Sequence, residues 1–132
     1  MKKSWIDEIK FDSAGLVPAI IEDAKSHEVL MMAYMNREAV AKTLKSGKAH
    51  FYSRSRKKLW LKGESSGHIQ KVKKIAVDCD ADTLLVSVTQ VGGACHTGFR
   101  SCFFRVLNGG AKWKVKGRKL FDPDKVYGAK SA

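Results

Sequence analysis

The run TLLVSVTQV, residues 83–91, is apolar and β-branched and reads as a strong strand, and cysteines bracket it. Cys79 precedes it within DCDAD (78–82), and Cys95 and Cys102 follow it within VGGACHTGFRSC (91–102). This bracket constrains the fold more than any other feature. If residues 69–79 and 83–91 pair as a hairpin, Cys79 lies near its turn and Cys95 lies past its far end. A strand of about eight residues spans about 26 Å at roughly 3.3 Å per residue. Thiolates that share a zinc ion each sit about 2.3 Å from it. In a straight hairpin, then, Cys79 and Cys95 of one chain cannot hold the same metal. Either the strand bends sharply or such a site is built from two chains, and the expectation is a two-fold dimer in which Cys79 of one subunit meets Cys95 and Cys102 of the other.

The spacing C-x15-C-x6-C is no standard finger or ribbon, so the thiols keep three readings. One is a zinc site, open because three thiolates leave a fourth position for water. His96 then either closes the site as a ligand or acts as a base beside it. The second reading is a disulfide between Cys95 and Cys102, and the third is inert buried thiols. The start MKKSWIDEIKF carries Asp7, Glu8 and Lys10 where a signal peptide needs apolar residues, so no export signal is read and a cytoplasmic protein is expected. In that compartment thiols stay reduced, which disfavours the disulfide.

Asp78, Asp80 and Asp82 stand at alternate positions. In an extended segment the three carboxylates share one side and Cys79 takes the other. Like charges so placed repel unless a cation neutralises them, and hard oxygen donors suit Mg²⁺. The competing reading is a polar turn between two strands.

The rest of the chain predicts a single domain over its 132 residues, with the tail from about 120 to 132 loosely packed. GLVPAIIED (15–23) and EVLMMAYM (28–35) read as strands. REAVAKTLKS reads as a helix between an Asn36 N-cap and a Gly47 stop. KAHFYSRS, KKLWLKG and HIQKVKKIAVDCD add strands, the last with an irregularity. A final hairpin is expected to turn at Asn108-Gly109-Gly110. The sum is an α+β fold, mostly antiparallel sheet with one clear helix, expected as an intertwined homodimer. No apolar run approaches the roughly 20 residues of a membrane span. The net charge of +12 fits a nucleic-acid partner, a phosphorylated small substrate or a merely solvated basic face. No RNP motif, zinc-finger spacing or long basic helix supports the first.

Three segments taken together are more specific than any one: LMMAYMNREA (30–39), RSRKKLWLKGESSGHIQKV (54–72) and DCDADTLLVSVTQVGGACHTGFRSCFF (78–104). Together they resemble the phosphoribosyl-AMP cyclohydrolase family, in its monofunctional form, over residues of about 12 to 108. The resemblance implies hydrolytic opening of the adenine ring of phosphoribosyl-AMP, in which water adds at C6 and the N1–C6 bond breaks. The product is ProFAR, a formimino aminoimidazole carboxamide ribonucleotide, and the reaction is the third step of histidine biosynthesis. The resemblance also implies a Zn²⁺- and Mg²⁺-dependent homodimer with sites shared between subunits. Cys79, Cys95 and Cys102 would be the zinc thiolates, and Asp78, Asp80 and Asp82 the magnesium carboxylates.

The chemistry is coherent with those residue types. N1 carries a ribosyl group, which makes the ring cationic and electrophilic at C6, and zinc activates water towards neutral pH. Three thiolates donate much charge to their metal, so a nearby base helps, and His96 is the first candidate with His68 the second. The two substrate phosphates give the basic charge a purpose. Arg54, Arg56, Lys62 and Arg100 are candidate contacts, and the amides of GESSG, including Ser66 and Gly67, form a candidate cradle. A zinc nucleoside deaminase is rejected, because the chain has no H-x-E and no C-x-x-C. The alternative from another class is a basic nucleic-acid-binding module with structural zinc. The cyclohydrolase reading expects no nucleic-acid partner and no membrane association.

Overall fold

The computed structural model describes residues 4–127. A 3-10 helix, Trp5–Glu8, leads into strands β1 (Leu16–Asp23) and β2 (Val29–Asn36), then helix α1 (Arg37–Ser46). Strands β3 (His50–Ser53), β4 (Lys58–Leu61), β5 (Gln70–Val77) and β6 (Leu84–Gln90) follow. Strands β7 (Arg105–Asn108) and β8 (Lys112–Val115) and helix α2 (Pro123–Tyr127) complete the order. The main sheet runs β2-β1-β6-β5, while β3-β4 and β7-β8 form separate two-stranded ribbons. Every pairing is antiparallel except β1 with β6, which is parallel. The architecture is the α+β arrangement expected from the sequence, with one principal helix.

The central strands are the most apolar and the most deeply buried. Val17, Ala19 and Ile21 of β1 and Val86 and Val88 of β6 are fully enclosed. Burial of the valine and isoleucine side chains stabilises by about 1.5–3 kcal/mol each. Pro18 falls just before Ala19, where pairing with β6 begins. Helix α1 covers one side through Ala39, Val40 and Thr43. Its ends are those the residue types dictate: the Asn36 side chain accepts from the Ala39 N–H at 2.8 Å, and Gly47 closes the helix in the left-handed conformation. Among the described residues no helix is long and apolar enough to cross a membrane.

The irregularity expected in the strand before DCDAD is a bulge between Val72 and Lys74 of β5. β5 and β6 form the anticipated hairpin, with Val77 opposite Leu84. The connecting DCDAD segment is not extended. The Ala81 N–H donates to the Asp78 carbonyl at 3.0 Å, and Ala81 itself adopts φ +62. That is a tight turn: the Asp78 N–H donates to the Thr83 carbonyl at 3.0 Å, so the hairpin reverses over residues 79–82. The β7–β8 ribbon projects with all its strand residues exposed. Of the segment expected to pack loosely, Phe121 lies against His68 with ring centroids 4.6 Å apart, and α2 is one short turn. Residues 128–132 of that segment, and Met1, Lys2 and Lys3 of the start, lie outside the described residues.

Candidate metal centre and active-site cleft

Beyond β6 the chain folds the sequence ACHTGFR into a small closed loop. The Ala94 N–H donates to the Arg100 carbonyl at 2.8 Å and the Cys95 N–H to the Phe99 carbonyl at 3.1 Å. The Gly98 N–H returns to the Cys95 carbonyl at 3.0 Å, which makes Cys95–Gly98 a β-turn. This geometry buries Cys95 at the base of the turn and leaves His96 exposed beyond it. The strand edge fixes the other thiol. Ser101 Oγ donates to the Val29 carbonyl at 2.7 Å, and the Cys102 N–H donates to the Leu30 carbonyl at 2.7 Å.

The two thiols are neighbours. Cys102 is exposed as a residue, yet its sulfur is partly desolvated and lies close enough to Cys95 to feel its charge. Burial first, and then the charge and hydrogen bond of Cys95, push the Cys102 thiol up to about 12. Thr97 Oγ1 also lies 2.9 Å from the Cys95 sulfur. Both are free cysteines, and no disulfide joins them.

Lys62 completes this corner and is only 8% exposed. Its Nζ donates to the Ala94 carbonyl at 2.6 Å, next to Cys95. Burial lowers its affinity for a proton, and the charges of Cys102 and Cys95 raise it again. No salt bridge to a carboxylate is formed by Lys62 among the described residues. A buried ammonium is costly without an anionic partner. Among the described residues, the charges that act on Lys62 are those of the two thiols. The donor set therefore fits a thiophilic cation such as Zn²⁺, which binds cysteine as thiolate.

Cys79 is elsewhere. It is exposed in the β5–β6 turn, while Cys95 follows the opposite end of β6, a strand about 20 Å long. Beside Cys79 is a hollow of about 710 Å³ lined by Trp5, Ile9, Leu44, Val72, Val77 and Asp78, among others. Its rim residues Trp5, Leu44 and Val77 are exposed apolar side chains. Asp78, Asp80 and Asp82 converge in the same turn, one ligand oxygen from each lying within 4.8 Å of the others. They meet because the turn folds them together, not because a strand aligns them. Asp82 is raised above the ordinary carboxylate range, first by desolvation, then by the hydrogen bond and charge of Asp78 and the charge of Asp80. A hard divalent cation relieves such repulsion, and the three exposed carboxylates fit Mg²⁺ in donor type.

A second hollow, of about 500 Å³, contains the thiol corner. Arg56, Lys62, Ser66, His96 and Cys102 all line it, with Trp60 on the wall. Glu64, Ser65 and Tyr127 line it too, and pattern reading did not single them out; for the first two, their place within GESSG was the available signal. Gly63 starts that loop at φ +88, where a Cβ would meet the backbone of His68 and Ile69 at 2.6 Å. Other candidates are placed apart. Arg54 stacks over the Tyr34 ring at 4.2 Å. Arg100 is held by Asp23 at 2.7 Å and Glu28 at 2.9 Å. Gly67 turns the GESSG loop at φ +80 without lining the hollow. His68 packs on Phe121, and its Nδ1 is buried without a hydrogen-bond partner.

Fold and site together define a small α+β domain that carries a pair of neighbouring thiols in a basic cleft and a separate carboxylate turn. The family model for phosphoribosyl-AMP cyclohydrolase matches residues 31–104, which include both features. A phosphoribosyl-AMP cyclohydrolase of Methanosarcina acetivorans is 59% identical over 122 residues, covering 92% of this chain and 98% of that protein. Those of Methanosarcina barkeri and Chlorobium phaeovibrioides are 61% and 52% identical over 86% and 97% of this chain, and 84% and 93% of their own lengths. The chain belongs to the phosphoribosyl-AMP cyclohydrolase family of hydrolases.

Proposed function

We propose that the chain opens the adenine ring of phosphoribosyl-AMP by hydrolysis of the N1–C6 bond to give ProFAR, the third step of histidine biosynthesis. The observation that carries this reading is the cleft of about 500 Å³ in which Cys102, His96, Arg56 and the serine loop converge. Its volume suits a nucleotide-sized ligand. In this reading Cys95 and Cys102 of one subunit and Cys79 of a second hold Zn²⁺, and Asp78, Asp80 and Asp82 hold Mg²⁺. A metal so held supplies Lewis acidity, which makes water a usable nucleophile near neutral pH. The sharing between subunits is supported by the separation of Cys79 from the thiol pair along β6. It is supported also by exposed Phe103 beside Cys102 and by the apolar hollow beside Cys79.

The chain's own groups then divide the work. Arg56 and the amides of the serine loop hold a phosphate at the mouth of the cleft. His96, exposed on its wall, accepts the proton that water loses on adding to C6. It returns a proton to N1 as the N1–C6 bond breaks, so the step is balanced without a further reactant. The test is spectroscopic. Protein, phosphoribosyl-AMP and Mg²⁺ are mixed, and absorbance is followed as the purine ring opens, with Cys95→Ala and a chelator as controls. Turnover abolished by both is expected. Turnover that survives both contradicts the zinc reading, and salt-dependent nucleic-acid binding without any turnover contradicts the enzymatic one.

A further inference from the structure

We propose that Lys62 is a positioning residue of the thiolate site, its positive charge balancing the cysteines and its Nζ fixing the loop that carries them. This rests on the zinc reading above and goes beyond it, because Lys62 is neither a ligand nor a substrate contact in this role. Two independent observations carry it. The first is burial without a salt bridge among the described residues: Lys62 is 8% exposed, and its Nζ has the Ala94 carbonyl at 2.6 Å. The second is connectivity. Ala94 is covalently joined to Cys95, and its N–H and carbonyl are both engaged, by Arg100 and Lys62. The Lys62 backbone is itself anchored, its N–H donating to the Ala49 carbonyl at 3.0 Å. The side chain is thus a strut from the edge of β4 to the base of the cysteine loop.

The charge arithmetic gives the strut a purpose. A divalent metal with three thiolates carries a net charge of −1, and one buried ammonium beside it brings the cluster to neutrality. A lysine so used is unavailable to a substrate phosphate, which leaves Arg56 as the cationic side chain of the cleft for that task. Groups that orient and tune metal ligands typically change metal affinity by about 10- to 100-fold when removed.

The experiment uses the metal-free full-length protein and Co²⁺ or Zn²⁺ alone, with a competing chelator. Lys62→Met keeps the stem and removes the charge and the donor, and Lys62→Gln keeps a donor. Both variants are expected to lose roughly 10-fold or more in metal affinity. Their sulfur-to-cobalt charge-transfer band should move to longer wavelength, because sulfur electrons are less tightly held without the cation. Metal-free melting should stay closer to the parent for Lys62→Gln, whose amide can still donate to the Ala94 carbonyl, than for Lys62→Met, which leaves that carbonyl without its donor. Should Lys62→Met fail to fold, Lys62→Gln carries the comparison. Parent-like affinity with an unshifted band overturns the proposal while leaving the zinc reading intact. A parent protein that takes up neither metal overturns both.

Discussion

Asp23, at the end of β1, holds Arg100 at 2.7 Å across 77 residues of chain, and so ties the central sheet to the loop between Cys95 and Cys102. The Asp23 carboxylate also accepts from the N–H groups of Lys25 and Ser26. Arg100 is therefore engaged with carboxylates on the protein rather than free for a phosphate. Arg100→Ala is predicted to destabilise the fold by about 1–2 kcal/mol, as expected for a partly exposed charged hydrogen-bonded network. The KM for phosphoribosyl-AMP should be unchanged. Denaturant melts and steady-state kinetics check it, and a large rise in KM would return Arg100 to the substrate.

The same carboxylate predicts a pH dependence. Asp23 is held below the usual carboxylate range, first by the Ser26 N–H and further by the Lys25 N–H and the Arg100 charge. A depressed folded-state value means that the contribution is full above the unfolded value of roughly 3.9 and is lost as pH falls through the folded one. The stability gap between the parent and Asp23→Asn should thus be full at neutral pH and close progressively on acidification below that range. Melts as a function of pH measure it, and a gap that persists unchanged into strong acid would refute it.

Much of this was legible in the sequence because the signals are local. Asn36 and Gly47 mark the ends of α1 by their own side-chain and backbone chemistry, and the alternation in β5 betrayed its bulge. The thiol pair and the carboxylates were legible as residue types. What was hidden depends on partners distant in the chain. Nothing near Lys62 announces that its Nζ will meet Ala94, 32 residues on. Arg54 and Arg100 likewise read as free cations until Tyr34, Asp23 and Glu28 are folded beside them. The DCDAD turn was hidden for another reason: Ala81 adopts φ +62, a conformation for which alanine gives no signal.

That residue offers a third prediction. A left-handed alanine costs about 1–2 kcal/mol relative to its right-handed conformation, and glycine escapes this but loses more freedom on folding. Ala81→Gly should raise stability by a net of about 0.5–1 kcal/mol and leave the three carboxylates converged. Metal-free melts test it, and a clear loss of stability would show the turn to be unstrained.

His96 stands exposed on the cleft wall that also carries Cys102. His96→Ala is predicted to retain zinc and to lose roughly 100-fold or more in turnover, the usual scale for a general acid–base group. Metal analysis beside kcat separates the roles. Loss of the metal together with turnover would make His96 a ligand instead.

The most direct test of the account is subunit complementation. Cys79→Ser and Cys102→Ser proteins are each expected to be inactive, since each breaks every site in its own dimer. After mixing and reassortment, half of the dimers are mixed, and each mixed dimer holds one site with all three cysteines. Turnover of phosphoribosyl-AMP should return to roughly a quarter of the parent value. A mixture that stays inactive although mixed dimers are shown to form, or a Cys79→Ser protein that is fully active alone, would contradict a zinc site shared between subunits.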